Sequence, residues 1–164
     1  MNWSIMNLKH LNFKIDKPRY RNVAEKWRDS GRYYQWKQFE QVDKWWQTYP
    51  DQGVDADINE VADALNISQF DCRPRFYWLK PNHDIPIHYD EDNVTSIQIN
   101  LKDQTPNVGI ENLGEVPYEA LAINNGCIRH WVTAVPYERL QMKFVMRETW
   151  ETVMEAIPDA ILQN

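Results

Sequence analysis

The chain has four histidines, His10, His83, His88 and His130. Where a strand runs out into a loop, residues i and i+2 point to the same side, so the H-x-D of His88-Tyr89-Asp90 sets an imidazole and a carboxylate to grip one ion. Taken alone the motif is weak: with 24 acidic residues in 164, four histidines meet an H-x-[DE] by chance about half the time. On that reading His88 is an ordinary surface turn residue. Its context says more. His130 follows 42 residues later, after Asn125-Gly126 and near the start of another short strand. Two neutral imidazoles and one carboxylate form a facial triad with open coordination positions, a set that suits non-haem Fe(II) oxygen chemistry. Zinc could bind the same ligands. Arg139 lies nine residues beyond His130, where a fixed guanidinium could hold a carboxylate through two parallel N–H bonds. A lone surface arginine is the plainer alternative.

These residues need a rigid scaffold, and the spacing of apolar residues after position 70 supplies one. The period there is two. Arg75–Leu79, Ile85–His88, Thr95–Leu101, Val108–Glu111, Tyr118–Ile123, Ile128–Val132 and Glu138–Met146 read as strands, and Asn125-Gly126 as a hairpin turn. In Thr95–Leu101, Ile97, Ile99 and Leu101 share one face, with Ser96, Gln98 and Asn100 on the other. In the last strand Leu140, Met142, Phe144 and Met146 oppose Arg139, Gln141, Lys143 and Val145. Before residue 70 the pattern reads helical. Tyr33, Trp36, Phe39, Val42, Trp46 and Tyr49 predict a helix over 33–47, ended by Pro50 and Gly53. Asp57 with Glu60, then Ile58, Val61, Ala62 and Leu65, predict a second over 57–65, stopped at Asn66. Helices followed by a run of short strands imply a helix-flanked antiparallel sandwich or barrel, mainly β.

Composition narrows the function classes. At 164 residues the chain is expected to be one domain with a core of its own. Its two cysteines, Cys72 and Cys127, form no CxxC, which excludes a disulfide scaffold and a cysteine zinc site and points to a reducing, cytoplasmic setting. No apolar run approaches the roughly 20 residues of a membrane span, and Met1–His10 lacks a signal-peptide pattern. Residues 1–50 carry 10 Lys/Arg against 5 Asp/Glu, and the rest 8 against 19. The acidic body argues against nucleic acid as a partner.

Three segments resemble the Fe(II)/2-oxoglutarate-dependent oxygenases. Arg75–Asp90 (RFYWLKPNHDIPIHYD) is similar to their first ligand motif and Ser96–Lys102 (SIQINLK) to the following core strand. Asn124–Val132 (NNGCIRHWV) with Arg139 resembles the distal histidine and co-substrate arginine. The resemblance covers roughly residues 72–147 and is nearest to the small aspartyl/asparaginyl β-hydroxylase-like and prolyl-hydroxylase-like branch, including short phage versions. Asp90 sets the chain apart from aspartyl hydroxylases that lack the acidic ligand. The resemblance implies a double-stranded β-helix, or cupin-like jelly roll, over 71–150, with 1–70 as helical support, in a single domain of 1–164. It implies Fe(II) on His88, Asp90 and His130, which serve as metal ligands and catalytic centre. It also implies 2-oxoglutarate chelating the iron with its far carboxylate on Arg139, and O2 as the oxidant. By strand alternation Gln98, Asn100 and Lys143 share the cavity with Arg139, and Tyr77 joins them as a further co-substrate contact. The reaction would hydroxylate an unactivated C–H, of an Asp, Asn or Pro residue or a free amino acid, releasing succinate and CO2. Host cytoplasm is the setting if a phage encodes it. Two alternatives stay open: a non-catalytic jelly-roll binding module, and a cupin-type metalloenzyme without the keto acid. The oligomeric state is not readable from the chain. The Trp-rich first third is expected to buttress the outer sheet face, with Trp3 or Trp27 edging the mouth of the site.

Overall fold

The structure is a computed structural model that describes residues 7–31, 33–35, 45–48, 54–90 and 95–163. Among the described residues, eleven strands and four helices follow in order: β1 (Leu8–His10), α1 (Lys17–Asp29), β2 (Tyr33–Gln35), β3 (Trp45–Thr48), α2 (Val54–Ala64), β4 (Cys72–Leu79), β5 (Ile85–His88), β6 (Thr95–Asn100), β7 (Asn107–Ile110), β8 (Gly114–Pro117), β9 (Ala120–Asn124), β10 (His130–Val132), β11 (Arg139–Met146), α3 (Trp150–Ala156) and α4 (Asp159–Leu162). The strands form a seven-stranded sheet in the order β1-β9-β6-β11-β4-β3-β2 and a four-stranded sheet in the order β5-β10-β7-β8. Every pairing is antiparallel. Two antiparallel sheets face to face make a jelly roll.

Alternation along β11 separates the two sides of the larger sheet. Leu140, Met142, Phe144 and Met146 join Phe76, Trp78, Ile97 and Ile99 in a buried layer with Tyr20 and Ala24 of α1, Ile58, Val61 and Ala62 of α2, and Val153 of α3. Each large apolar side chain buried there contributes about 1.5–3 kcal/mol. The opposite face looks toward the smaller sheet, where Leu8, Leu121 and Ile123 meet Val108, Ile110 and Ile128. The buttressing of the outer face by helices is therefore as the sequence implies, but the helices are α1, α2 and α3.

The helix expected over 33–47 is corrected. Tyr33–Gln35 and Trp45–Thr48 are strands that extend the larger sheet beyond β4; Trp36, Phe39, Val42 and Tyr49 lie outside the described residues. Aromatic residues favour the pleated, half-buried surface of a strand, and Trp46 sits opposite Trp78 in the ladder. Tyr33 meets the Trp78 ring edge-on at 5.1 Å. The helix expected over 57–65 is present and begins earlier, at Val54. Asn66 ends it in the left-handed region at φ 57. The Ile67 and Asn66 amides donate back to the Ala62 and Asp63 carbonyls, which is a Schellman stop with asparagine in the usual glycine place.

Trp27 packs against the helix-side core rather than edging the site, and Trp3 lies outside the described residues. Asn125-Gly126 turns the chain, but not as a hairpin. Neither residue has positive φ, and the strands on either side, β9 and β10, belong to different sheets. The tight β7–β8 hairpin is made instead with Asn112 at φ 71 and Gly114 at φ 77. Cys72 and Cys127 form no disulfide. No helix among the described residues is long and apolar enough to cross a membrane.

Candidate metal and co-substrate site

His88 is the last residue of β5 and His130 the first of β10, and the two stand directly opposite in the ladder. Their rings lie 4.3 Å apart between centroids. Asp90, two residues beyond His88, turns back toward both. Its Oδ1 is 3.8 Å from His88 Nε2 and its Oδ2 is 3.9 Å from His130 Nε2. One ligand atom from each of the three lies within 4.8 Å of the others. Those separations are too long for hydrogen bonds and short enough for one ion to gather all three.

The backbone fixes which nitrogen each ring presents. His88 Nδ1 is 2.7 Å from the Pro86 carbonyl oxygen and His130 Nδ1 is 3.2 Å from that of Ile128. A carbonyl only accepts, so each Nδ1 carries the proton and each Nε2 turns its lone pair toward Asp90. Burial first, then the neighbouring His88 and Lys143, hold His130 well below its ordinary value, against the opposing pull of Asp90. His130 is therefore neutral, the form that binds metal. This donor set fits a divalent first-row ion.

Asp90 is itself oriented by a side chain that sequence reasoning assigned only to a turn. Asn125 Nδ2 donates to Asp90 Oδ2 at 2.9 Å, and Asn125 Oδ1 accepts from Ser96 Oγ at 3.0 Å. The Asp90 amide also donates to the Asn125 carbonyl. Asn125 is only 1% exposed. An asparagine just upstream of the second histidine motif is the sole trace of this in the sequence.

Arg139 opens β11 and is 8% exposed. Its Nη1 donates to the Asn107 carbonyl and its Nη2 to that of Thr133, both at 2.9 Å, while Nε is buried without a hydrogen-bond partner. Two carbonyls from the smaller sheet's strand ends thus hold the guanidinium still and leave donors unused. Nearby, Tyr118 Oη donates to Gln141 Oε1 at 2.8 Å, with Gln98 Oε1 at 3.5 Å. Burial raises the Tyr118 phenol far above its ordinary value, and Arg139 is close enough to pull the other way. Tyr118 was read in the sequence only as part of a strand.

Tyr77 and Lys143 lie on the same inner face. Lys143 Nζ sits 5.0 Å over the Tyr77 ring, and Tyr77 Oη is 3.4 Å from Arg75 Nη1. Asn100 is corrected. Its amide hydrogens go to the Lys102 and Gln104 carbonyls and its oxygen accepts from the Lys102 amide. The side chain is used up in shaping the 101–105 loop and has no donor left for a co-substrate. His83 stays in its turn, bonded to the Pro81 carbonyl at 2.7 Å, outside the metal cluster.

No protein-family model matches the chain, and no curated protein matches it in sequence. Solved structures do match in fold. A Pseudomonas putida prolyl-4-hydroxylase matches with TM-score 0.67 at 15% identity, over 87% of this chain and 92% of that one. A Trichoplax adhaerens prolyl hydroxylase in complex with a hypoxia-inducible-factor peptide matches with TM-score 0.61 at 7% identity, over 90% and 84%. The epimerase SnoN of nogalamycin biosynthesis, in complex with Fe3+ and α-ketoglutarate, matches with TM-score 0.61 at 10% identity, over 92% and 84%. The fold is the jelly roll that these prolyl hydroxylases and this α-ketoglutarate-dependent epimerase share. At such identities the likeness is one of architecture, and the chemistry must be argued from the residues.

Proposed function

We propose that the chain is an Fe(II)- and 2-oxoglutarate-dependent dioxygenase that hydroxylates an unactivated C–H. The observation that carries this reading is the convergence of His88, Asp90 and His130 on a two-histidine, one-carboxylate site, within a prolyl-hydroxylase fold that also buries Arg139 with unused donors. His88 Nε2, His130 Nε2 and an Asp90 oxygen would hold the iron. Iron, the keto acid and O2 together supply the oxidation: one oxygen atom enters the C–H bond and the other enters the succinate formed as CO2 leaves.

The protein's own part is placement. Asn125 and Ser96 hold the Asp90 carboxylate in its orientation, and the Pro86 and Ile128 carbonyls hold the two imidazoles in theirs. Arg139 takes the far carboxylate of 2-oxoglutarate with the N–H groups its two carbonyl partners leave over. Tyr118, Gln98 and Gln141 line the space between. The apolar layer formed by Leu121, Ile123, Ile110 and Ile128 keeps water from the oxidant. The substrate belongs to the amino-acid class, an Asp, Asn or Pro residue or a free amino acid, and the setting is the cytoplasm.

The test is anaerobic addition of Fe(II) and 2-oxoglutarate, which should give a weak visible charge-transfer band. On admission of O2, succinate should form slowly without substrate. Alanine at His88, Asp90 or His130 should abolish both signals. Metal binding with no response to 2-oxoglutarate would instead favour a cupin-type metalloenzyme, and no metal binding a binding module.

A further inference from the structure

The inner face of the larger sheet carries Lys143, a cation beyond the arginine that a keto acid would use. Arg75, Lys143 and Arg139 all lie on that face, with Lys143 directly opposite Arg75 on β4 and opposite Gln98 on β6. Arg139 and Lys143 are four residues apart along β11, roughly 13 Å at strand rise, so one keto acid's far carboxylate does not serve both. The charges of the proposed assembly also balance without Lys143. A divalent iron, Asp90, a doubly negative keto acid and Arg139 sum to zero.

Lys143 is thus a surplus cation. It is partly buried, its ammonium rests over the Tyr77 ring, and among the described residues it makes no ion pair. Burial pushes it below the usual lysine range; Asp90 is close enough to oppose that and Arg75 adds to it. A partly buried ammonium without an ion pair is costly unless an anion completes it.

We propose that Lys143, backed by Arg75, binds a carboxylate on the substrate, beside the carbon to be oxidised. The inference rests on the dioxygenase reading and narrows its substrate class to side-chain acids: an aspartyl or glutamyl residue, or free aspartate or glutamate. An uncharged prolyl or asparaginyl side chain gives Lys143 nothing to bind. The acidic body of the protein, with 19 Asp/Glu against 8 Lys/Arg after residue 50, repels polyanions and so favours a single small carboxylate over a phosphate backbone.

The test is calorimetric titration of the full-length protein loaded with Mn(II) and 2-oxoglutarate, using matched probes. These are N-acetyl-aspartate amide against N-acetyl-asparagine amide, the glutamate and glutamine pair, free aspartate and glutamate against their side-chain amides, and O-phosphoserine. At least one acid should bind ten-fold or more tightly than its amide. Lys143→Met should remove that preference while changing 2-oxoglutarate affinity less than about twofold, and Lys143→Arg should restore most of it, which guards against a folding defect in the first variant. Equal affinity for acid and amide in every pair overturns the proposal. So does a preference that survives Lys143→Met, or tighter binding of O-phosphoserine than of either acid. A ten-fold loss of 2-oxoglutarate binding in Lys143→Met also overturns it and makes the lysine a co-substrate ligand. Failure of the unmutated protein to bind Mn(II) with 2-oxoglutarate sinks the dioxygenase reading itself, and this inference with it.

Discussion

Replacing Arg139 with alanine should separate the keto acid from the metal. Of the five N–H donors of a guanidinium, two are committed to the Asn107 and Thr133 carbonyls, and Nε is buried with no partner. A carboxylate of 2-oxoglutarate meeting the remaining donors would be a desolvated, charge-assisted pair. Truncating one side of such a pair costs about 2–5 kcal/mol, because the other side is left buried and alone. At about 1.4 kcal/mol per tenfold, the dissociation constant of 2-oxoglutarate should rise about 30- to 4,000-fold. The metal ligands make no hydrogen bond to Arg139, so affinity for Fe(II) should change little. Arg139→Lys should recover only part of the loss, since an ammonium cannot meet two carbonyls and a carboxylate in one plane. The assay is anaerobic titration of the Fe(II) protein with 2-oxoglutarate, following the charge-transfer band, with metal affinity measured separately. A rise of less than about threefold would refute the assignment. Equal loss of metal and keto-acid binding would show that Arg139 acts through the fold, by pinning the smaller sheet's strand ends to β11.

Four further outcomes are expected. Asn125→Ala removes the amide that orients Asp90 and should weaken metal binding about 10- to 100-fold, read by competition with a chelating dye, with the far-ultraviolet spectrum unchanged. Gly109→Ala should destabilise the protein by about 1–3 kcal/mol, seen in the urea midpoint, because a Cβ there would overlap the Trp131 indole at 1.8 Å. Phe144→Ala should cost about 3–5 kcal/mol, as Phe144 is fully buried in the helix-side core. The last concerns acid. His130 sits below its ordinary value when folded, so the unfolded chain binds the extra proton first. In the metal-free protein the stability associated with this group is complete above about pH 6.5 and falls as the pH drops below it, by up to about 1.4 kcal/mol per pH unit. Urea midpoints between pH 7 and 5 in a chelator should show this slope, and His130→Asn should flatten that part of it.

Where one face of a strand packs apolar side chains under helices and the other carries polar ones inward, period two survives in the sequence although both faces are buried, and β6 and β11 were legible for that reason. The three residues that converge on the candidate site were legible too, because H-x-D at a strand exit and a histidine opening a later strand need no long-range information. The first third was harder. α1 buries only Tyr20 and Ala24, too few to leave an apolar stripe, and it is placed instead by Asp16 capping the Arg19 amide and by ion pairs such as Arg28 with Glu138. Steps of three and four along Tyr33, Trp36, Phe39, Val42, Trp46 and Tyr49 mimicked a helix because aromatic residues are frequent there, although β2 and β3 are strand partners. Asn125 was misjudged because Asn-Gly signals a turn whatever the turn connects. That it would carry its amide to Asp90 depends on β9 and β10 lying in separate sheets, which no local pattern encodes. Asn100 shares a face with Gln98, but alternation cannot show that the next loop consumes its amide.

One of the two histidines stands on an edge strand. Among the described residues β5 is the outermost strand of the smaller sheet, paired to β10 alone, with Ile87 in it 53% exposed and Tyr89 just beyond it 57% exposed. Local opening of a protein begins at such edges. If β5 lifts from β10, His88 and Asp90 leave together and His130 stays behind, so an ion held by the three would escape by a fraying of one strand rather than by unfolding of the domain. An ion joining β5 to β10 would close that route, and the gain would show first in the slowed amide exchange of 85–90, with the doubly paired β11 scarcely changed.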